Sequence, residues 1–130
     1  MTNPSNPTSE DIRSWAFDAD AEEPVQDWDL LLSTVAQENL FLELASNDDC
    51  PKADFFLALL YLISGDAVRT DYKSHSRDAI ESLLKKAEAN FPKRCIYLWV
   101  RRSRHLMEHP EEFRYDDRCA GVLARDKEEV

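Results

Sequence analysis

The chain has 130 residues, 43% of them apolar and 32% charged, with 26 acidic side chains against 16 basic and a formal net charge of −10. This length holds one domain with an ordinary core, and the balance of apolar to charged residues is globular, not disordered. Two glycines are too few for a glycine-rich phosphate loop, and the acidic excess disfavours a nucleic-acid partner, which binds positive groups.

Leu, Ala, Glu and Lys are plentiful while Val, Ile and Thr are sparse, which favours helix over sheet. The sequence predicts an all-α fold of five to six helices, in a compact antiparallel bundle or array around one buried central helix. The three cysteines, Cys50, Cys95 and Cys119, are odd in number and form no Cys-x-x-Cys. They read as reduced thiols in a cytoplasmic protein.

The opening stretch to Thr8 is polar and proline-rich, with no secretory signal, and is expected to be a disordered leader. A single helical domain is expected over 9–124. Ser9 is placed to cap a first short helix, whose Ile12, Trp15 and Ala16 share one face. An acidic loop follows, up to Pro24. Asp27 suits the N-cap of a helix over 28–46, with Trp28, Leu31, Leu32 and Val35 as one stripe broadened by Leu40, Phe41, Leu42 and Leu44.

Asn47-Asp48-Asp49 breaks that helix, and Asp49 or Cys50 is placed to cap the central one. From Phe55 to Ile63 every residue is apolar, so this helix is surrounded on all sides. Pro51 fits its start and Gly65 its left-handed C-terminal cap. It is too short to cross a bilayer, which takes about 20 apolar residues. Asp66 to Lys73 is predicted to be a polar connection.

Ser76 to Asn90 reads as an amphipathic helix with Ile80, Leu83, Leu84 and Ala87 inward. Pro92 opens a longer one to about His109, with Cys95, Leu98, Trp99, Arg102 and Leu106 tracing its inner face, and Pro110 stops it. A last short helix is predicted over 117–124, then a charged tail over 125–130. No repeat recurs along the chain.

Charge is unevenly spread. Residues 1–49 hold twelve acidic side chains and one basic, Arg13; residues 50–109 hold eleven basic and seven acidic; residues 110–130 hold four basic and seven acidic. Such asymmetry points to association, either with a partner or between the acidic head and the chain's own basic middle.

Enzymatic patterns are weak. His105 and His109 lie four apart on one helix face and would need Cys119 or Glu108 to complete a metal set, but the His-Glu-x-x-His spacing is absent. Cys95 and Cys119 fall on apolar faces, where a free thiol behaves as a small hydrophobe. Cys50 precedes a helix but sits beside Asp48 and Asp49, which oppose a thiolate. No catalytic residue, metal or cofactor is assigned. Lys93, Arg94, Arg101, Arg102 and Arg104, with Tyr97 and Trp99 between, make a basic helix, which a nucleic-acid domain usually pairs with a basic overall balance.

The acidic head is the strongest functional signal. Asp18, Asp20, Glu22, Glu23, Asp27 and Asp29 lie together, flanked by Trp15, Phe17 and Trp28. Carboxylates around aromatic anchors suit a binder of a basic protein surface, because opposite charge speeds encounter and desolvated aromatics hold the complex. The candidate contact residues are those six carboxylates with Phe17. The competing expectation is a solvated loop with Trp15 and Trp28 in the core.

The run Asp11-Ile12-Arg13, then Trp15-Ala16-Phe17-Asp18, followed by Gln26-Asp27-Trp28-Asp29-Leu30, resembles an opening found in small bacterial proteins. The compact, acidic, helical chain is similar in character to immunity proteins, which neutralise toxin domains used in competition between bacteria. That resemblance implies a cytoplasmic binder that occludes a cognate basic toxin, such as a nuclease, with carboxylates standing in for substrate phosphates. The alternatives are a homo-oligomeric module, in which the apolar excess of 28–46 and 55–63 completes a dimer core, and a metal- or thiol-dependent enzyme using the histidines and cysteines.

Overall fold

The computed structural model describes Met1 and residues 3–118. Six α-helices and two 3-10 turns make up its regular structure, with no strand among the described residues. The helices are α1 (Ser9–Ala16), α2 (Trp28–Leu32), α3 (Glu38–Ser46), α4 (Ala53–Arg69), α5 (Arg77–Asn90) and α6 (Arg94–Glu108). The 3-10 turns span Pro110–Glu112 and Tyr115–Arg118.

The fold is an all-α array built around α4, which packs against α2, α3, α5, α6 and the second 3-10 turn. Its apolar run is enclosed as its composition requires: Phe56, Leu59, Leu60, Tyr61, Leu62 and Ile63 are buried. Each such side chain contributes about 1.5–3 kcal/mol over an exposed one. The buried apolar residues of α3 and α4 join one core cluster within the chain.

Where α4 meets α6, the polar atoms are matched. Ser64 Oγ accepts hydrogen bonds from Trp99 Nε1 at 3.1 Å and Ser103 Oγ at 2.9 Å, and donates to Leu60 O at 3.2 Å. All these groups are buried, and a buried polar group left unmatched would cost about 1–3 kcal/mol. Arg102 grips the buried Asp117 with two hydrogen bonds, 2.8 and 3.0 Å, which fastens the second 3-10 turn to α6.

Several boundaries differ from expectation. The helix predicted over 28–46 is two helices, α2 and α3. Ser33 Oγ and Thr34 Oγ1 donate to the carbonyls of Leu30 and Leu31 at 2.6 and 2.7 Å, which draws the backbone out of helix. Asp27 is the N-cap of α2 but takes a left-handed conformation, and its side chain makes no capping bond. Lys52, not Asp49 or Cys50, is the N-cap of α4.

Gly65 does not end α4. The helix continues through it to Arg69, burying Ala67 and Val68 and absorbing the first half of the predicted polar connection. That burial outweighs the roughly 1 kcal/mol a glycine costs inside a helix. The left-handed turn falls instead on Asp71 and Tyr72, and the Tyr72 N–H donates to Ala67 O at 2.6 Å. Tyr72 packs against the core and lies under the Arg77 guanidinium, which offsets its strained backbone.

The opening stretch makes contacts with the helices. Trp28 Nε1 donates to Pro4 O at 3.0 Å, and Pro7 is buried. Thr8, in place of Ser9, caps α1 in a reciprocal box: its hydroxyl accepts from Asp11 N at 3.1 Å, and Asp11 Oδ2 accepts from Thr8 N at 3.0 Å. Ser76 caps α5 and His109 closes α6 before Pro110, both near the expected positions. Most of the helix predicted over 117–124, together with Cys119 and the tail 125–130, lies outside the described residues.

Candidate functional site

Beneath the acidic segment lies an aromatic cluster that joins four helices. Trp15 of α1 meets Trp28 of α2 edge-on at 4.7 Å and Phe55 of α4 at 4.8 Å. Phe55 touches Phe56, which stacks on Phe41 of α3. Trp28 is fully buried and Trp15 nearly so. Both tryptophans are therefore core, and only Phe17 of the three expected aromatic anchors is exposed, at 47%.

This cluster fixes the loop above it through backbone atoms. Trp15 Nε1 donates to Glu22 O at 2.9 Å. Lys52 Nζ donates to Trp15 O at 2.8 Å and Asp18 O at 2.6 Å, and sits 3.8 Å from the centre of a Trp15 ring. Burial lowers the Lys52 pKa, while Asp18, Cys50 and Asp20 oppose that shift. Ala21 packs on the core. The segment thus turns carbonyls and a methyl group inward.

Its carboxylates are on the other side. Asp18, Asp20, Glu22, Glu23 and Asp27 are exposed and Asp29 is half-buried. Among the described residues none of these six forms an ion pair. Glu23 has a raised pKa: partial burial is the main cause, with repulsion from Asp29 and Asp27 adding to it against a backbone N–H bond at Asp29. Three carboxylates therefore crowd the start of α2 without an ion-paired cation among the described residues.

Part of the chain's own basic middle is paired away from residues 17–30. Lys93 pairs with Asp48 and also donates to Ser46 O at 2.8 Å, Arg104 pairs with Glu88, and Arg102 with Asp117. The basic middle thus meets the acidic head through Lys93 at Asp48, and near residues 17–30 through Lys52, which bonds to carbonyls there. On the basic helix Trp99 and Leu98 are core, and Tyr97, Arg94 and Arg101 are exposed.

Two apolar residues beside the carboxylates escaped the sequence reading. Val25 and Leu30 are 41% and 43% exposed, so with Phe17 they give residues 17–30 three of the large hydrophobic side chains left at the surface. Leu30 lies two residues from Trp28, off the face of α2 that buries Trp28 and Leu32.

Thiols and histidines are arranged differently. Cys50 is buried and donates its S–H to Ala16 O at 3.7 Å. Burial pushes the Cys95 thiol pKa up, against the pull of Lys93 and nearby backbone N–H groups, so it stays protonated at neutral pH. His105 and His109 are exposed at the end of α6, with Glu112 and not Glu108 as the third member of their cluster, while Cys119 lies outside the described residues.

Two open grooves lie away from the acidic segment. One, of about 340 Å³, runs between Gln37–Asn39 at the start of α3 and Ala79, Ser82 and Lys86 on α5. The other, of about 420 Å³, lies beside Phe91, Pro92 and Tyr97 where α5 passes into α6. No described helix is long and apolar enough to cross a membrane. No protein-family model matches the sequence, and no curated protein or solved structure matches it.

Proposed function

We propose that this chain is a non-enzymatic binding module whose acidic N-terminal surface docks a basic protein, in the manner of a bacterial immunity protein that occludes a toxin. The observation that supports the reading is the state of residues 17–30. Six carboxylates lack ion pairs with described residues, and Phe17, Val25 and Leu30 are exposed among them. Apolar anchors within a charged rim are what a protein interface needs: the anchors hold once water is excluded, and the rim steers the encounter. Lys and Arg side chains of a nuclease active site match this rim, and their occlusion would block substrate phosphates.

The rigid footing of the loop also supports the reading. Because Trp15 and Lys52 hold its backbone, little ordering entropy remains to be lost on binding. Coexpression with the product of the neighbouring gene is expected to give a stable 1:1 complex. Combining Asp20→Lys, Glu22→Lys, Glu23→Lys and Asp27→Lys is expected to slow association and flatten its dependence on salt. Association kinetics untouched by the four changes would reject this surface.

A further inference from the structure

The last turn of α6 and the turn after it bring together side chains that the acidic docking surface does not use. His105 sits in the final turn of α6, and His109 is its C-cap, leaving the helix with φ −131° and ψ 66°. Pro110 then opens a 3-10 turn, and the Glu112 N–H donates to His109 O at 3.0 Å. This reversal returns Glu112 to the histidines. Glu112 Oε2 is 2.9 Å from His105 Nε2 and 4.0 Å from His109 Nδ1. The two imidazole centres are 4.9 Å apart, and one ligand atom from each of the three residues lies within 4.8 Å of the others.

We propose that His105, His109 and Glu112 form a zinc site, with His105 Nε2, His109 Nδ1 and Glu112 Oε2 as its ligands. Two imidazoles and one carboxylate are a donor set zinc accepts, at roughly 2.0–2.2 Å, with a fourth position left for solvent. Donors around a tetrahedral ion at those lengths lie about 3.3 Å apart. The present span is within about 1.5 Å of that, and all three side chains are exposed and free of core packing. The surroundings favour a cation: the site lies at the negative end of the α6 dipole, and Glu111 Oε1 is 3.6 Å from His109 Nδ1. The sequence concealed the site because Glu112 lies beyond a helix-ending proline, where helical spacing no longer says which side chains meet.

The test uses the full chain without a histidine tag. Equilibrium dialysis against Zn²⁺ is expected to give one ion per chain, and a melting temperature that rises with zinc concentration. His105→Ala and His109→Ala should each weaken binding at least tenfold, Glu112→Gln should weaken it by a smaller factor, and His75→Ala should leave it unchanged. Circular dichroism checks that each variant is folded, and Glu112→Gln keeps the shape of its side chain should a histidine variant fail that check. Co²⁺ in place of zinc should show a nitrogen and oxygen spectrum without a thiolate charge-transfer band. The proposal is overturned by the absence of saturable zinc binding, by full stoichiometry in the folded double histidine variant, by unchanged affinity in Glu112→Gln, or by a thiolate band that places the ion on cysteine. None of these outcomes bears on the acidic docking surface, since the two share no residue.

Discussion

At the contact between α4 and α6, polar side chains lie inside the protein and find their partners there: Ser64 gathers Trp99 and Ser103, and Arg102 holds Asp117. In residues 17–29 the arrangement is inverted. The backbone is tied to Trp15 and Lys52, while the carboxylates face solvent without described ion pairs. Both regions are polar, but in the first the side chains specify the packing, and in the second the packing presents the side chains. Changes at the α4–α6 contact should therefore act on stability, and changes in the acidic segment on what the protein meets.

The sharpest way to break this contrast is to hollow the interface. Trp99→Ala is expected to lower unfolding free energy by about 3–5 kcal/mol, read by equilibrium denaturation, because Trp99 is fully buried. A loss comparable to that of a surface substitution would mean the α4–α6 contact does not hold the fold. Ser64→Ala is smaller in volume but strands the Trp99 N–H and the Ser103 hydroxyl. It should cost about 1–3 kcal/mol by the same measurement.

Lys52 joins the two regions, and its removal should have an intermediate effect. Lys52→Met keeps the stem over Trp15 but removes the donors to Trp15 O and Asp18 O, at a cost of about 1 kcal/mol. Hydrogen exchange should quicken at Ala21, whose N–H bonds to Asp18 O. Protection left intact there would show that Lys52 is not what pins the loop.

The smallest effect on stability belongs to Glu23. Its pKa is raised in the folded protein, by burial and by Asp29 and Asp27, so folding disfavours the ionised form. The penalty is full above the folded value. It fades as pH falls through that value and is gone below the unfolded one, where both states are protonated. Glu23→Gln should therefore melt slightly higher than the parent at neutral pH, with the difference closing in acid. A Glu23→Gln variant that melts lower than the parent at neutral pH would reverse the sign and place a stabilising cation beside Glu23.

Local chemistry decided what could be read along the chain. Burial of the 55–63 run, the Ser76 cap and the stop before Pro110 each depend on residues close in sequence, and the helical class follows from composition. Three-dimensional packing decided the rest. It carried α4 through Gly65 and turned Trp15 and Trp28 inward, while local bonds from Ser33 and Thr34 broke 28–46 and the turn after Pro110 brought Glu112 to His105. The sequence showed an acidic head and a basic middle, but not that Lys93, Arg102 and Arg104 would find Asp48, Asp117 and Glu88 instead of the carboxylates of residues 18–29. Propensities are worth tenths of a kcal/mol per residue, whereas a buried side chain contributes whole ones. Wherever the two disagreed, contacts between residues far apart in the chain prevailed.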